Sequence, residues 1–469
     1  TRGAVSIGRS DRLSRPADAA IWGLGRVVGL EHPERWGGLI DLDSAQVTEP
    51  LSSCADALDP ALGDRLAAAL SGESGEDQLA VRPSGLFVPR LVRAPGTESG
   101  AESGAESAWT PSGTILITGG TGALGAHVAR WLAGRGVDHL VLTSRRGADA
   151  PGAAAIEAEL TALGARVTVA ACDVADRDAL AALIERLREA GETITAAVHA
   201  AGITQQTAVA DTTWTELCRV ANGKIAGAQN LHDLLGDELA AFVVFASIAG
   251  IWGSGGQGIY AAANAFLDAL AVHRRGHGRV ATSVAWGVWD DGMAADSAIQ
   301  AMLRKRGLAA MAPQRAIAAL AQAVDQDDTA VTVADVDWSR FAPAFAAART
   351  RPLLGDLPEA AAAMSESRAD DGEDSAFVAR IRALAAGERT GHVIALVQAE
   401  AAAVLGHAEA AGLDPNTGFS DLGLDSLMAV ELRKRLRQLT GVSLPATLAF
   451  DYPTPVHVAD FILDQLSAA

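Results

Sequence analysis

The 469 residues are enough for two to four domains, and the balance of 49% hydrophobic and 20% charged residues is that of an ordinary globular protein. The formal net charge of -19 argues against a nucleic-acid partner, because nucleic acid is held by Lys and Arg side chains. No stretch has the unbroken apolar length of a membrane span, and no signal sequence opens the chain. We therefore expect a cytoplasmic protein without a membrane partner.

The cysteines Cys54, Cys172 and Cys218 are far apart in sequence and form no CxxC or Cys/His cluster. Buried packing is the favoured interpretation, with a metal site or a disulfide as the open alternatives. We expect no bound metal.

Residues 1–93 predict a small mixed region without a catalytic constellation. Residues 1–6 resemble a strand whose beginning is missing, so we expect that the chain is a part of a longer protein. The other expected elements are a helix at 19–30, a strand at 38–42, a helix at 64–70 and two short strands within 79–91. Residues 94–112 are expected to form a linker, because a segment of low hydrophobicity there repeats Gly-Ala-Glu-Ser.

Residues 113–345 alternate apolar strands with helices, a pattern typical of βαβ units. It predicts an α/β fold with a Rossmann-like, doubly wound parallel sheet. A polar, Ala-rich linker is expected over 346–376, and a small helical bundle over 377–469. The expected strands are 114–118, 139–143, 166–170, 196–199, 242–247, 279–285 and 330–334.

A glycine-rich turn follows the first of these strands and matches GxGxxG between a predicted strand and a predicted helix. Glycines there let backbone N–H groups and the helix N-terminus face a pyrophosphate. This context favours a dinucleotide site over a purely structural turn. The expected binding residues of the turn are Gly119, Gly120, Thr121, Gly122, Leu124 and Gly125.

Ser144, Arg145 and Arg146 follow the second strand, where an NAD site has an acid for the ribose hydroxyl. Two guanidinium groups there suit a 2′-phosphate and favour NADPH over NADH, with a solvated basic loop as the alternative. His199 is interpreted as a packed core residue rather than a catalyst. Further cofactor contacts are expected from Asp173, Val174, His199, Ala200, Ala201 and Gly202.

Four polar residues form a candidate catalytic set for reducing a carbonyl, which needs a proton donor and hydrogen bonds at the developing alkoxide. Tyr260 comes thirteen residues after Ser247, at a strand end, and four before Asn264, so the Tyr and the Asn share one helix face. Lys224, on the preceding predicted helix, is placed to lower the pKa of the phenol.

The TGGTGALG turn, the SRRG and HAAG segments, this catalytic set and the run GSGGQGIYAAANAFLDAL together resemble the ketoreductases of modular polyketide synthases, members of the short-chain dehydrogenase/reductase superfamily. The resemblance covers nearly all of residues 1–345. It implies NADPH-dependent reduction of a β-ketoacyl thioester. Tyr260 would protonate the ketone oxygen and Ser247 would hydrogen-bond it. Lys224 would assist the Tyr and hold the nicotinamide ribose, and Asn264 would position the Lys.

The same resemblance implies that residues 1–93 are the later part of a degenerate Rossmann-like structural subdomain that binds no cofactor. The chain resembles the A-type ketoreductases, which implies an L-β-hydroxy product. Thr-Gln-Gln at 204–206 stands in place of the B-type Leu-Asp-Asp, and Trp252 lies eight residues before Tyr260, as in A-type enzymes. Plain packing stays an alternative role for this Trp. Gln257 stands where a His accompanies epimerisation, so none is expected. A lid over 286–306 is expected to contribute Trp286 and Met293 to the substrate groove.

Residues 422–427, Leu-Gly-Leu-Asp-Ser-Leu, precede an amphipathic helix that runs to Leu436. A Ser after Asp at a helix start is by itself only an N-cap or first-turn residue. With Phe419 before it and residues 444–455 after it, the segment resembles the attachment motif of acyl carrier proteins. This implies 4′-phosphopantetheine on Ser426, added by a phosphopantetheinyl transferase, with the β-ketoacyl chain tethered near the reductase site.

Two other functions stay open. A redox-inactive scaffold joined to a carrier and docking fragment is disfavoured by the filled catalytic set. A free-standing short-chain alcohol dehydrogenase is disfavoured by the fused carrier region and the structural subdomain. The family resemblance also implies ketosynthase and acyltransferase domains upstream.

Overall fold

The computed structural model describes residues 1–43, 60–94, 109–291, 297–369, 377, 380–381, 384–405, 413–424, 426–440, 442, 444–445 and 447–468. Its contacts divide the chain into two compact units. The first comprises Thr1–Pro89, Arg93–Arg304 and Leu308–Asp335, and the second comprises Arg90–Val92, Lys305–Gly307 and Val336–Ala469.

Strands and helices alternate through most of the chain. In chain order the elements are α1 (Ala19–Glu31), β1 (Leu39–Leu42), α2 (Pro60–Ser71), β2 (Gln78–Arg82), β3 (Gly85–Phe87), β4 (Thr114–Thr118), α3 (Ala123–Gly134), β5 (His139–Ser144), α4 (Ala153–Ala162), β6 (Arg166–Ala171), α5 (Arg177–Glu189), β7 (Ile194–His199), α6 (Trp214–Ala221), α7 (Gly227–Leu234), β8 (Ala241–Ser247), α8 (Ile248–Trp252), α9 (Gly258–Gly276), β9 (Thr282–Trp286), α10 (Ser297–Lys305), β10 (Leu308–Ala309), α11 (Pro313–Asp325), β11 (Ala330–Val333), β12 (Asp335–Val336), α12 (Trp338–Phe345), α13 (Pro358–Ala369), α14 (Ala386–Leu405), α15 (Ser426–Thr440), α16 (Leu448–Asp451) and α17 (Pro455–Ala468).

Seven strands of the described residues form one parallel sheet, in the order β11-β9-β8-β7-β4-β5-β6. The chain winds outward from β4 through β5 and β6, and then in the opposite direction from β7 to β11. The reversal leaves a crevice at the carboxyl ends of β4 and β7, where doubly wound sheets bind ligands. The predicted doubly wound sheet is confirmed.

Both faces of this sheet are covered, because successive side chains of a strand point to opposite faces. In β4, Ile115 and Ile117 pack into the core below one layer of helices, whereas Leu116 packs into the core on the other face. All three side chains are fully buried. The continuous apolar runs predicted as strands are therefore explained by helices on both sides of the sheet.

The N-terminal region contains α1, α2 and a three-stranded sheet in the order β1-β2-β3. The expectation of a strand over residues 1–6 is wrong: Arg2 forms one isolated bridge with Leu42, and Gly3 then turns the chain with a φ of +66°. The predicted helices and remaining strands of this region are present, and α2 begins four residues earlier than expected.

Helix α1 of this region packs against α9 of the large sheet at very short range. A Cβ atom on Gly23 would lie 2.6 Å from the carbonyl carbon of Ala261 and 2.8 Å from Cα of Ala262. Both are backbone atoms, so the two helices meet backbone to backbone. Only glycine fits at this position of α1.

The second unit departs from the expected linker over 346–376. Residues 352–369 are folded: Pro352–Leu354 form a 3-10 turn and α13 follows, with Leu354 and Ala360 fully buried. The linker prediction is wrong there, because Pro358 starts a helix at its first turn and the Ala run after it has high helix propensity.

The C-terminal bundle consists of α14, α15, α16 and α17 within the described residues, as predicted for a small helical domain. Its core contains fully buried side chains from all four of these helices, among them Val393, Leu432, Leu448, Val458 and Ile462. Tyr452 packs beside Phe461 with ring centroids 4.5 Å apart.

Among the described residues, no helix is long and apolar enough to span a membrane, and no group of His, Cys, Asp and Glu side chains is arranged to hold a metal ion. Cys172 is buried and Cys218 is partly buried, and both are free thiols. Cys54, Met293 and most of the predicted linker over 94–112 lie outside the described residues.

Candidate functional site

The glycine-rich turn closes tightly between β4 and α3. Gly119 adopts a φ of +72°, and its N–H donates to the carbonyl of Thr143 at 2.8 Å. A Cβ atom on Gly119 would lie 2.9 Å from the backbone of Ala201, and one on Gly125 would lie 2.8 Å from Cα of Gly120. The turn therefore lies so close to neighbouring backbone, at the point where the strand order of the sheet reverses, that no side chain fits at either position.

The N-terminus of α3 opens into this turn. Its N-cap is Gly122, which supplies no side-chain hydrogen bond to the first N–H groups of the helix. Thr121 and Leu124 beside it are partly exposed. Uncapped N–H groups at the positive end of a helix suit a phosphate group. The turn therefore fits the pyrophosphate of a dinucleotide.

The carboxyl end of β5 presents a second set of polar groups. The hydroxyl oxygen of Ser144 is buried and has no hydrogen-bond partner among the described residues, and Arg145 and Arg146 are both exposed. A buried hydroxyl without a partner beside two exposed guanidinium groups fits a ribose 2′-phosphate. After β6, Asp173 is exposed and Val174 is buried.

His199, at the end of β7, contacts Thr118 and the backbone of Lys224. Its Nδ1 lies 2.7 Å from Oγ1 of Thr118, and its Nε2 lies 3.2 Å from the carbonyl oxygen of Lys224. Because a carbonyl only accepts, Nε2 carries the proton and the Thr118 hydroxyl donates to Nδ1. Burial, followed by the charge of Lys224, lowers the pKa of His199 to about 3. The ring is therefore neutral and packed, with 1% exposed.

Lys224 lies in a π-helical turn, Asn222–Ala226, rather than in the regular helix expected from the sequence. Its side chain runs beside Gly202, where a Cβ atom would lie 2.7 Å from the Lys Cε. Nζ donates to the carbonyl of Phe245 at 2.8 Å and lies 5.5 Å from the ring centroid of Tyr260. Burial lowers the pKa of Lys224 to about 8. The turn thus places an ammonium group over the Tyr260 ring.

Tyr260 lies in the first turn of α9 and is 8% exposed. Burial raises the pKa of its hydroxyl, while side-chain hydrogen bonds with Ser247 and Asn264 act in the opposite direction. Ser247 ends β8 and caps α8, where its Oγ accepts from the N–H of Ala249 at 3.3 Å. The site therefore contains a protonated phenol beside a Ser hydroxyl, which suits proton donation to a substrate oxygen.

Asn264 is completely buried and lies one turn further along α9. Its Nδ2 donates to the carbonyl of Tyr260 at 2.7 Å, whereas its Oδ1 is buried without a partner among the described residues. An unpaired buried acceptor is rare and fits a bound water or another donor. This leaves Asn264 with a free acceptor through which it could position Lys224, as the resemblance implies.

Asp268, one further turn along α9, was missed by the sequence analysis. Its Oδ1 accepts from the hydroxyl of Ser283 at 2.6 Å, and its Oδ2 is buried without a partner among the described residues. Burial raises the pKa of Asp268 to about 6, while Ser283, Arg26 and Lys224 lower it. The spacing of Tyr, Asn and Asp at four-residue intervals was the available signal.

Gln205, also missed, supports the start of α9. Its Oε1 accepts from the N–H groups of Ile259 at 2.9 Å and Tyr260 at 3.2 Å, and its Nε2 donates to the hydroxyl of Thr212 at 3.1 Å. These are orphan donors of a helix N-terminus. The segment that replaces Leu-Asp-Asp therefore caps the helix that carries the Tyr, whereas Gln206 beside it is exposed.

The residues predicted to contact substrate lie in different environments. Trp252 ends α8 and is 4% exposed. Gln257 is the N-cap residue of α9, and its Nε2 donates to Oγ1 of Thr204 at 3.4 Å. Trp286 packs in the core beside Phe245, with ring centroids 5.3 Å apart. Its substrate role stays a prediction, as does that of Met293.

Ser426 is the first residue of α15, the position that the attachment motif predicts. Leu432 and Leu436 of this helix are fully buried in the core of the bundle. The helix N-terminus also favours a negatively charged group such as a phosphodiester.

Three family models match the chain. The model for "Polyketide synthase extender module SpnB, Rossmann fold domain" matches residues 1–91, the model for "KR domain" matches residues 113–291, and the model for "Phosphopantetheine attachment site" matches residues 395–462.

Curated relatives match over nearly the whole chain. "Polyketide synthase GfsA" of Streptomyces halstedii is 49% identical over 99% of this chain and 6% of that protein. "Pikromycin polyketide synthase component PikAIII" of Streptomyces venezuelae is 49% identical over 98% of this chain and 29% of that protein. The chain therefore spans less than a third of the length of these relatives.

Solved structures match about three quarters of the chain. The "Structure of A1-type ketoreductase" is 49% identical, with a TM-score of 0.71, over 77% of this chain and 73% of that chain. The "Structure of A-type Ketoreductases from Modular Polyketide Synthase" is 50% identical, with a TM-score of 0.71, over 77% of this chain and 74% of that chain.

Proposed function

This chain belongs to the ketoreductases of modular polyketide synthases, and from that premise we propose that it reduces a β-ketoacyl thioester held on its own carrier region to the L-β-hydroxyacyl thioester, without epimerising the α-substituent. Such a ketoreductase uses NADPH, and the carrier region takes 4′-phosphopantetheine. One observation carries the proposal: Tyr260, Ser247, Asn264 and Lys224 come together beside the carboxyl ends of the central strands.

NADPH supplies the hydride when it is bound. The hydroxyl of Tyr260 donates its proton to the ketone oxygen as that oxygen gains negative charge, and the hydroxyl of Ser247 donates a hydrogen bond to the same oxygen. The resulting phenolate is stabilised by the ammonium of Lys224, 5.5 Å from the ring centroid. With a pKa of about 8, this Lys is mainly cationic at pH 7.

Two parts of the site match the charged groups of the cofactor. The glycine turn and the N-terminus of α3 would hold the pyrophosphate, and Ser144, Arg145 and Arg146 would hold the 2′-phosphate. Asp173 and Val174 would lie against the adenine.

The A-type assignment is supported by the buried Trp252 and by the absence of Leu-Asp-Asp at 204–206. In our proposal Trp252 closes one entrance of the groove, so the thioester arm enters from the other side and presents the opposite ketone face. Gln257 in place of His supports reduction without epimerisation.

In the same proposal Ser426 carries 4′-phosphopantetheine, installed by a phosphopantetheinyl transferase, and ketosynthase and acyltransferase domains precede this chain in the synthase. The tether raises the effective concentration of the β-ketoacyl group at the reductase site. The domain boundaries belong to this proposal: a structural subdomain to 93, a catalytic subdomain over 113–345 and a carrier domain over 377–469.

The two tyrosines provide a matched test of the mechanism. NADPH oxidation is measured with a small β-ketoacyl thioester, which needs no carrier. We expect Tyr260→Phe to lower kcat by about 10²-fold or more, because the proton donor is lost. Tyr452→Phe, in the carrier region, should leave kcat unchanged. Equal rates for wild type and Tyr260→Phe would refute the mechanism, and an inactive wild type would favour the scaffold hypothesis.

Stereochemistry is tested separately by chiral analysis of the reduced product. A racemic α-methyl-β-ketoacyl thioester should give one L-β-hydroxy diastereomer, in which the α-centre of the consumed enantiomer is retained. A D-β-hydroxy product would overturn the A-type assignment while leaving the reductase assignment intact.

A further inference from the structure

A carboxylate from the non-catalytic N-terminal region reaches the edge of the proposed substrate groove. Glu31 is the last residue of α1. Its Oε2 accepts from the N–H of Val209 at 2.8 Å, and its Oε1 accepts from the N–H of Gly256 at 2.7 Å. Each carboxylate oxygen therefore binds a different segment of the catalytic subdomain.

Those two segments are the ones that bear the residues of proposed stereocontrol. Val209 follows the Thr-Gln-Gln segment at 204–206, and Gly256 lies between Trp252 and Gln257. The segments are also joined to each other, because the N–H of Thr207 donates to the carbonyl of Gly256 at 2.8 Å. A single carboxylate thus completes a small hydrogen-bond network that joins the two segments.

The position of Glu31 is otherwise unfavourable. The carboxyl end of a helix carries partial negative charge, so an acidic side chain there is destabilising. Two hydrogen bonds from backbone N–H groups to a carboxylate are worth more than that penalty.

The geometry points to Glu31 as a positioning residue for stereospecific reduction: the N-terminal region, which has no catalytic side chain, fixes the spacing of the two segments that select the ketone face. The inference rests on the proposed function and adds a specificity determinant to it. Glu31 touches neither the substrate nor the reacting atoms, and it acts through the backbone at Val209 and Gly256.

The test compares Glu31→Gln and Glu31→Asp with Glu34→Gln. Gln presents an amide N–H to one of the two donors and so loses one hydrogen bond, and Asp keeps the charge but is too short to reach both. Glu34 is a matched control on the exposed surface, with 62% of its side chain accessible.

Three measurements separate positioning from general stability. We expect deuterium uptake in peptides covering 203–212 and 253–259 to increase in both Glu31 variants. The ratio of L to D product should fall by about tenfold, as the loss of one charge-assisted hydrogen bond predicts. The Kd for NADPH should stay unchanged, because the glycine turn is untouched.

Unchanged uptake, an unchanged product ratio, or an equal effect of Glu34→Gln would each overturn the inference. Loss of NADPH binding together with selectivity would also overturn it, because it would indicate general unfolding. A wild-type chain that reduces no β-ketothioester would instead refute the proposed function, and the deuterium uptake would still test the contact itself.

Discussion

Replacing Gly23 by Ala tests the backbone contact between α1 and α9. The new Cβ would lie 2.6 Å from the carbonyl carbon of Ala261 and 2.8 Å from Cα of Ala262, whereas ordinary contacts begin at 3.4 Å. The shortfall is 0.8 Å and 0.6 Å, and backbone atoms in two helices cannot rotate away. The helices must therefore separate, or bend, at the turn that carries Tyr260.

Two opposing free energies set the size of the effect. Overpacking of this kind costs about 1–3 kcal/mol. Ala in place of Gly inside a helix returns about 1 kcal/mol through its higher helix propensity. We therefore expect the free energy of unfolding to fall by up to about 2 kcal/mol. We expect kcat to fall as well, because Ala261 follows Tyr260, the proposed proton donor.

Gly63, in the interior of α2, is the matched control. A Cβ atom there meets nothing within 4 Å, so Gly63→Ala should stabilise the protein by about 0.5–1 kcal/mol. Urea unfolding followed by tryptophan fluorescence measures both variants. If Gly23→Ala is as stable as Gly63→Ala, the backbone contact is absent and the reasoning fails.

Three other predictions follow from the site. The pKa of His199 is about 3 in the folded state and about 6.5 in the unfolded state, so the unfolded state binds the extra proton between these values. The free energy of unfolding should therefore be greatest above pH 6.5 and should fall by about 1.4 kcal/mol per pH unit towards pH 3. In urea unfolding, His199→Asn should reduce the difference in stability between pH 7 and pH 5. Arg145→Ala should raise the KM for NADPH by about tenfold and leave the KM for NADH unchanged in steady-state assays, and equal effects on both would refute a 2′-phosphate contact. Gln205→Leu should lower kcat by about tenfold by uncapping the helix of Tyr260, whereas Gln206→Leu, its exposed neighbour, should not; similar values for the two would contradict the capping role.

The five central strands of the large sheet were predictable because each is a mainly apolar run that is buried along most of its length. The pairing of Tyr260 with Asn264 was predictable too, because helix geometry fixes what lies four residues apart. The π-helical turn at Lys224 could not be predicted, because a single additional residue in a helical turn does not change the hydrophobic pattern detectably.

Other features depend on distant segments. Gln205 and Glu31 acquire their roles only when loops meet the ends of α9 and α1, and polar residues in loops show no periodicity. Residues 352–369 were mistaken for a linker because low hydrophobicity hid a helix whose buried residues are Ala360 and Ala363, preceded by the buried Leu353, Leu354 and Leu357.

The absence of a side chain at Gly23 has a practical consequence for synthase engineering. Recombination points are commonly chosen where two regions share few interactions, and the border between residues 1–93 and the catalytic subdomain looks suitable in sequence. A chimaera with α1 from one parent and α9 from another would join helix surfaces that did not evolve together, with no free space to absorb a mismatch. Grafts that transfer the N-terminal region and its reductase as one piece avoid that junction.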